Sequence, residues 1–174
     1  MSYFSKGEYV NYSSNGVCLI FDIGAPEFDK TADKDSYYIL KPLADKSTTV
    51  FVPMKNQLLL SRMRKLLTKA EIDVLITSVG NDDVEWIDDR KKRADLFSEI
   101  LRRNEPGELL SLVCCIHKKR EALVALGGNR KLAFSDLDIL ERAERLLEGE
   151  FSFVLGISPL DVASYVREKL ASND

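Results

Sequence analysis

Histidine and cysteine are scarce in this chain. Its 174 residues include one histidine, His117, and three cysteines, Cys18, Cys114 and Cys115. Zinc sites need several such side chains at ligand spacing, and no such spacing occurs here. A Ser-His-Asp or Cys-His arrangement would have to use His117, which lies in a predicted helix beside apolar positions. An odd number of cysteines, two of them adjacent, also argues against a disulfide framework. We therefore expect a reducing compartment and no metal site. A hydrolase would need a concave site near His117 and is the least supported class of function.

Long apolar runs are also missing. No stretch approaches the roughly 20 apolar residues of a membrane-spanning helix, and the N-terminus has no apolar signal core. Gly127-Gly128 follows a predicted helix, so it is typical of a helix end rather than of a phosphate-binding loop. We therefore expect a cytoplasmic, non-enzymatic protein with no cofactor, no small-molecule substrate and no membrane partner.

Charge is nearly balanced overall but uneven along the chain. The formal net charge is -3, yet residues 86–131 hold eleven basic and seven acidic side chains. Whole-chain charge therefore gives no reason to expect nucleic acid, whereas this local excess of lysine and arginine does favour it.

The first 55 residues have the alternating hydrophobic pattern of short β-strands. Strands are predicted at 9–12, 17–23, 37–41 and 48–52. The turn residues Ser13 to Gly16 and the proline Pro53 interrupt the pattern. Four or five such strands form a small antiparallel barrel or a curled sheet, so we predict a β domain over residues 1–55.

After residue 55 the hydrophobic spacing becomes helical. A connecting segment is predicted over 56–80 and an all-helical domain over 81–174, which makes the fold class α+β. Helices are predicted at about 83–103, 108–126, 135–155 and 158–170. Residues 81–83 are candidate N-caps for the first helix, and capping boxes at Ser135 and Ser158 open the last two. The helix at 108–126 is apolar on nearly all sides, which predicts a buried position.

Trp86, the only tryptophan, stands in a strongly charged stretch. On the predicted helix, steps of about 100° per residue put Arg90 and Arg93 on the same stripe as Trp86, beside the stripe that faces the core. Trp86 either completes the core of the bundle, or it is a wedge or stacking group on nucleic acid with the arginines on phosphates. The basic run Lys118-Lys119-Arg120 is likewise either a solvated turn or a phosphate contact.

The run from Thr48 to Pro53 is rich in β-branched residues and contains Phe51. It is either an internal strand of the small barrel or an edge strand. The open backbone groups of an edge strand can pair with a strand of another protein.

A series of short motifs runs through both halves of the chain. In the β half they are Phe4 to Tyr12, Asn15 to Val17, Tyr37 to Leu43 and Val50 to Pro53. In the helical half they are Trp86 with Arg90, Glu108-Leu109-Leu110, Lys118-Lys119-Arg120 and Ala143 to Phe151. In this order, and as far as Leu155, they resemble the CarD/CdnL family of bacterial transcription regulators. The N-terminal domain of that family is shared with transcription-repair coupling factors.

The resemblance implies a Tudor-like or SH3-like antiparallel β domain that binds the RNA polymerase β subunit by strand addition. The implied polymerase contacts are Thr49, Val50, Phe51, Val52 and Pro53. The helical domain is implied to touch promoter DNA at the upstream edge of the melted region. There Trp86 wedges into the minor groove, and basic residues hold phosphates without reading sequence. These residues are Arg90, Lys91, Arg93, Lys118, Lys119 and Lys131.

The sequence departs from the family pattern in three ways. Asp88 and Asp89 follow the tryptophan where basic residues are frequent, Phe51 stands where an arginine is frequent, and Leu137 takes the place of a basic residue. On a helix, Asp89 also lies within reach of Arg93 four residues later. These differences predict weaker DNA contact and a polymerase contact that is either more apolar or made by neighbouring residues.

The sequence is compatible with two functions. The first is a regulator that associates with the nucleoid through RNA polymerase and stabilises the open complex without catalysis. The alternative is a protein–protein adaptor that makes no direct contact with DNA.

Overall fold

The computed structural model of the chain describes residues 4–31, 33, 36–79, 84–128 and 130–172. It divides into two compact units, one up to Leu66 and one from Leu67 onward. The first unit is built on a sheet and the second on helices, which confirms the predicted α+β class.

The first unit contains a five-stranded antiparallel sheet with the strand order β4-β3-β2-β1-β5. The strands are β1 (Tyr9–Tyr12), β2 (Val17–Gly24), β3 (Tyr37–Pro42), β4 (Val50–Pro53) and β5 (Met63–Lys65). The first four agree with the predicted strands to within one or two residues. A 3-10 turn, Ser13–Asn15, joins β1 to β2, and helix α1 (Gln57–Leu60) precedes β5.

Strand β5 was missed by the sequence-based prediction. Three residues are too few to show an alternating pattern, and the strand forms because Met63 pairs with Tyr12 and Lys65 with Val10. Strand β5 and α1 therefore belong to the sheet unit, which extends past the predicted end at residue 55.

The core of the sheet unit follows the alternation of the strands. Val10, Cys18, Ile20, Leu40 and Val52 are fully buried. Each fully buried aliphatic side chain stabilises the fold by about 1.5–3 kcal/mol relative to an exposed one. Burial also raises the pKa of the Cys18 thiol to about 12, so this cysteine is a neutral core residue.

The second unit is a helical bundle. Its helices are α2 (Lys69–Ser78), α3 (Arg90–Arg103), α4 (Pro106–Ala125), α5 (Phe134–Leu155) and α6 (Pro159–Ala171). Helices α4, α5 and α6 agree with the predicted helices to within two residues. In the first half of α4 the four consecutive residues Leu109 to Leu112 are buried, as predicted, whereas its second half carries the exposed Val124.

Two predicted caps have different outcomes. The side chain of Ser158 accepts a hydrogen bond from the Leu160 N–H at 3.3 Å and opens α6. The capping box predicted at Ser135 is wrong, because α5 begins one residue earlier, after Ala133. Asp136 then lies in the first turn and points into the bundle, where it is buried. None of the helices in the described ranges has the length and apolar composition needed to cross a membrane.

Candidate functional site

Strand β4, the second part of the run from Thr48 to Pro53, lies at one end of the sheet order and is an edge strand in the described part of the chain. The alternative of an internal strand is wrong. Val52 is fully buried and Val50 packs against the core, so these two side chains fix which face of β4 is turned inward. Phe51 therefore projects from the opposite, outer face.

The hydrogen-bonding groups of β4 also alternate. The N–H of Met54 donates to the Ser36 carbonyl at 2.8 Å, which shows that residues at even positions point their backbone groups toward β3. The N–H and C=O of Phe51 consequently point outward, toward the open edge. Pro53 has no N–H and occupies the other outward position, where proline is tolerated in an edge strand.

Thr49, the first of the predicted polymerase contacts, lies just before β4. Its hydroxyl oxygen accepts a hydrogen bond from the Lys41 ammonium of β3. This contact ties the start of β4 to its neighbour and leaves the outward groups of Phe51 unchanged.

Trp86 does not lie on a helix, which corrects the prediction. Helix α3 begins at Arg90 because the Asp89 side chain accepts a hydrogen bond from the Lys92 N–H at 3.0 Å and caps the helix there. The candidate caps at 81–83 lie outside the described residues. Trp86 and Arg90 therefore do not share a helical stripe, and the expected contact of Asp89 with Arg93 is replaced by this cap.

Trp86 is half-buried at the margin of the bundle core. Its ring meets Phe97 edge-to-face, with centroids 6.1 Å apart and an interplanar angle of 68°. Two cations lie over the ring: the guanidinium carbon of Arg93 at 4.2 Å and the ammonium of Lys119 at 5.1 Å from its centroid. Such cation–π contacts contribute roughly 0.5–2 kcal/mol each. Trp86 thus packs on the core of the bundle, which was the first of the two predicted alternatives. Part of its surface stays exposed.

Arg93 was predicted to hold a phosphate, and its position contradicts this. Its side chain is only 7% exposed, and Nε and Nη2 donate to the two carboxylate oxygens of Asp136 at 3.0 Å each. Nη1 also donates to the carbonyls of Ile87 and Asp88, at 2.7 and 3.2 Å. A phosphate would have to break a buried ion pair to reach this guanidinium, so Arg93 positions the Trp86 segment instead.

The other predicted phosphate contacts remain at the surface. Lys119 contacts the Trp86 ring and forms an ion pair with Asp88 at 3.7 Å, and the Asp88 side chain is 92% exposed. The exposed residues of the set are Arg90 and Lys91 in the first turn of α3, Lys118 on α4, and Lys131 in the connection before α5. The structure thus gathers Trp86, Arg93 and Lys119 at one place and leaves Asp88 as an acid beside them.

A cavity of about 440 Å³ between α4, α5 and α6 was not predicted from the sequence. The apolar Leu110 and Phe151 line it together with His117 and Glu148. His117 Nδ1 lies 2.7 Å from Arg120 Nη2, and because arginine only donates, Nδ1 accepts and Nε2 carries the proton. Nε2 then donates to the Glu144 carboxylate at 2.7 Å.

Burial at this cavity perturbs the pKa of one carboxyl group. Burial, and then the nearby Glu144 carboxylate, raise the pKa of Glu148 above its ordinary value. The described residues contain no group of three or more side chains arranged to hold a metal ion. The sequence did not predict this cavity because its lining residues come from three separate helices.

The sheet unit is similar to a known domain family. Residues 4–66 match the family model of the CarD-like/TRCF RID domain, which covers somewhat more than a third of the chain, and no curated protein matches the sequence. The match ends where the sheet unit ends and includes the edge strand β4. It confirms the resemblance for the N-terminal domain and points to an interaction with RNA polymerase. Residues 4–66 of this chain are thus similar to the CarD-like/TRCF RID domain.

Proposed function

We propose that this chain is a non-enzymatic transcription regulator that binds the β subunit of RNA polymerase and stabilises the promoter open complex. The observation that carries the proposal is the open edge of β4 within a CarD-like/TRCF RID domain. Phe51 offers one outward N–H and one outward C=O there, and a polymerase strand extends the sheet by pairing with them. The protein then acts in the cytoplasm, at the nucleoid, wherever polymerase holds promoter DNA.

Backbone pairing at Phe51 can be tested separately from its side chain. Phe51→Pro removes both the ring and the outward N–H, whereas Phe51→Val removes the ring and keeps the N–H. Proline is compatible with the fold because the N–H that it removes does not pair with β3. We expect Phe51→Pro to abolish co-purification with the β subunit and Phe51→Val to retain part of it. Equal binding of both variants and the wild type would rule out strand addition at β4.

The DNA contact is proposed for the helical unit. The Trp86 ring is supported by Phe97 and Arg93, so it is held rigid while part of it stays exposed. Unstacking a base step costs a few kcal/mol. A rigid ring offsets this cost better than a mobile one, because it loses less conformational entropy on binding. Lys119 beside the ring supports the proposal. The phosphate contacts proposed with it are Arg90, Lys91, Lys118 and Lys131.

The wedge predicts a specific kinetic defect. Trp86→Ala should leave polymerase binding intact and shorten the lifetime of the open complex in a competitor-challenge assay. Phe134→Ala is a matched control, because Phe134 is an aromatic residue of the same unit and is 85% exposed. An unchanged lifetime in Trp86→Ala excludes the wedge.

A protein–protein adaptor without DNA contact is the second candidate. It is favoured by the burial of Arg93 and by the exposed Asp88 carboxylate, which together reduce the positive charge around Trp86. The two functions differ in their response to salt. DNA binding through phosphates weakens steeply with salt, whereas an apolar protein interface responds little.

A further inference from the structure

An aromatic cluster stands beside the edge strand on the outer face of the sheet. It consists of Phe28, Tyr37 and Phe51. The Phe28 ring meets Phe51 edge-to-face, with centroids 5.0 Å apart and an interplanar angle of 88°. It meets Tyr37 in the same way, at 6.2 Å and 81°. Phe28 comes from the connection between β2 and β3 and is 67% exposed, so a large apolar surface is presented to solvent next to β4.

The turn that carries Phe28 is anchored to the sheet. The Tyr37 hydroxyl donates to the Asp29 carboxylate at 3.0 Å, and this hydrogen bond raises the pKa of Tyr37, so the hydroxyl stays protonated. The Asp29 N–H donates to the Pro26 carbonyl at 3.0 Å, and the Thr31 hydroxyl donates to Asp29 at 2.8 Å. Phe28 is therefore held in place before any partner arrives, which lowers the entropic cost of using it in an interface.

The cluster lies where a strand added to β4 would place a side chain. Phe51 and Ile39 are directly paired, and Tyr37 lies two residues from Ile39, so all three project from the same face. In an antiparallel addition, the partner residue opposite Phe51 has its Cβ about 4.5–5.5 Å from the Phe51 Cβ, on that face. Its side chain then packs against Phe51 and the adjoining Phe28 ring.

The chemistry of the cluster selects an apolar partner. Phe28, Phe51 and Ile39 carry no polar groups, and the Tyr37 hydroxyl already donates to Asp29. A charged partner side chain would lose hydration against these rings, and contact with an aromatic face returns only part of that cost to a cation. An aliphatic or aromatic side chain buries its surface there, and large preorganised aromatics are frequent binding hot spots.

We infer that the polymerase strand that pairs with β4 carries an apolar side chain opposite Phe51, and that Phe28 is the residue that determines this specificity. The inference rests on the proposed function. Strand pairing alone involves only β4. The inference adds a contact made by Phe28, which lies outside β4 in the connection between β2 and β3.

The test measures binding of the full-length chain to the purified β subunit. Truncating a hot-spot residue costs at least about 2 kcal/mol, so we expect Phe28→Ala to weaken binding by about thirtyfold. Phe21→Ala is the matched control, because Phe21 is an exposed aromatic of the same unit whose ring faces Lys41 on the neighbouring strand. Tyr37→Phe loses only the anchor of the turn, and we expect a smaller loss of affinity than for Phe28→Ala.

Phe51→Pro in the same assay separates this inference from the proposed function. Wild-type affinity of Phe28→Ala together with loss of binding in Phe51→Pro overturns the inference and leaves strand addition standing. Wild-type affinity of both variants overturns both. Equal losses in Phe28→Ala and Phe21→Ala also overturn the inference, because they indicate general apolar adhesion. Unchanged melting temperatures confirm that the exposed substitutions leave the fold intact.

Discussion

Arg93 places its guanidinium carbon 4.2 Å from the centroid of the Trp86 ring while it forms a two-point ion pair with Asp136. One side chain therefore connects the segment before α3 with the first turn of α5. Its bonds to the Ile87 and Asp88 carbonyls fix the backbone on the C-terminal side of the tryptophan. The position of Trp86 thus depends on the integrity of a buried ion pair.

Removing one partner of this pair should be costly. Asp136→Ala leaves the Arg93 guanidinium buried without its carboxylate, and breaking a buried ion pair in this way typically costs about 3–5 kcal/mol. We expect a decrease of this size in the free energy of unfolding measured by urea denaturation. Asp138→Ala is the control two residues along α5, because Asp138 and Arg142 are both about half exposed at 3.7 Å. Its expected cost is below about 1 kcal/mol, and equal costs would contradict the structural role of Arg93.

Tryptophan fluorescence comes from Trp86 alone, because no other tryptophan occurs in the chain. Its quenching by a charged quencher therefore depends on the charges around this ring. The Lys119 ammonium lies 5.1 Å from the ring centroid and pairs with Asp88. Iodide should therefore quench Trp86 less in Lys119→Met and more in Asp88→Asn, by about twofold at low salt. The neutral quencher acrylamide is the control, since it senses exposure and not charge. Equal changes with both quenchers would mean that exposure of the ring had changed.

The strands were predictable because their information is local. Alternation from Tyr9 to Pro53 identified β1 to β4, since each strand buries one face and the pattern repeats every second residue. Strand β5 lacked that signal and forms through pairing with β1. The edge position of β4 was left open by the sequence because strand order depends on contacts between distant segments.

The candidate DNA site was predicted less well than the fold. Several acids precede α3, and each is a chemically suitable cap, so the sequence could not identify Asp89 as the cap that is used. The burial of Arg93 depends on Asp136, 43 residues away. The contact of Lys119 with the Trp86 ring and its ion pair with Asp88 were not predicted, because both depend on the packing of α4 beside the Trp86 segment.

Salt dependence should identify the lysines that hold phosphates. Removing one cation that neutralises a phosphate reduces the slope of log K against log salt by about 0.9 on duplex DNA. We expect Lys118→Ala to lower the slope by about that amount when DNA affinity is measured by fluorescence anisotropy. Arg142→Ala serves as the control, because it removes an exposed cation of the same unit that is not among the proposed phosphate contacts. An unchanged slope in Lys118→Ala removes this residue from the proposed phosphate contacts, and the absence of measurable DNA binding at low salt favours the adaptor.

Glu148 and Glu99 should affect the pH dependence of stability in opposite directions. Burial raises the pKa of Glu148 in the folded state. The contribution of this carboxyl group to stability is therefore present below its unfolded pKa and is lost as pH rises through its folded pKa. A hydrogen bond from Arg102 lowers the pKa of Glu99, whose contribution is present above its unfolded value and is lost as pH falls. At pH 7 we therefore expect Glu148→Gln to raise the melting temperature and Glu99→Gln to lower it. At about pH 3.5, below the unfolded values of both groups, both differences should shrink. A melting temperature of Glu148→Gln that is shifted equally at both pH values would show that the effect comes from packing in the cavity and not from ionisation.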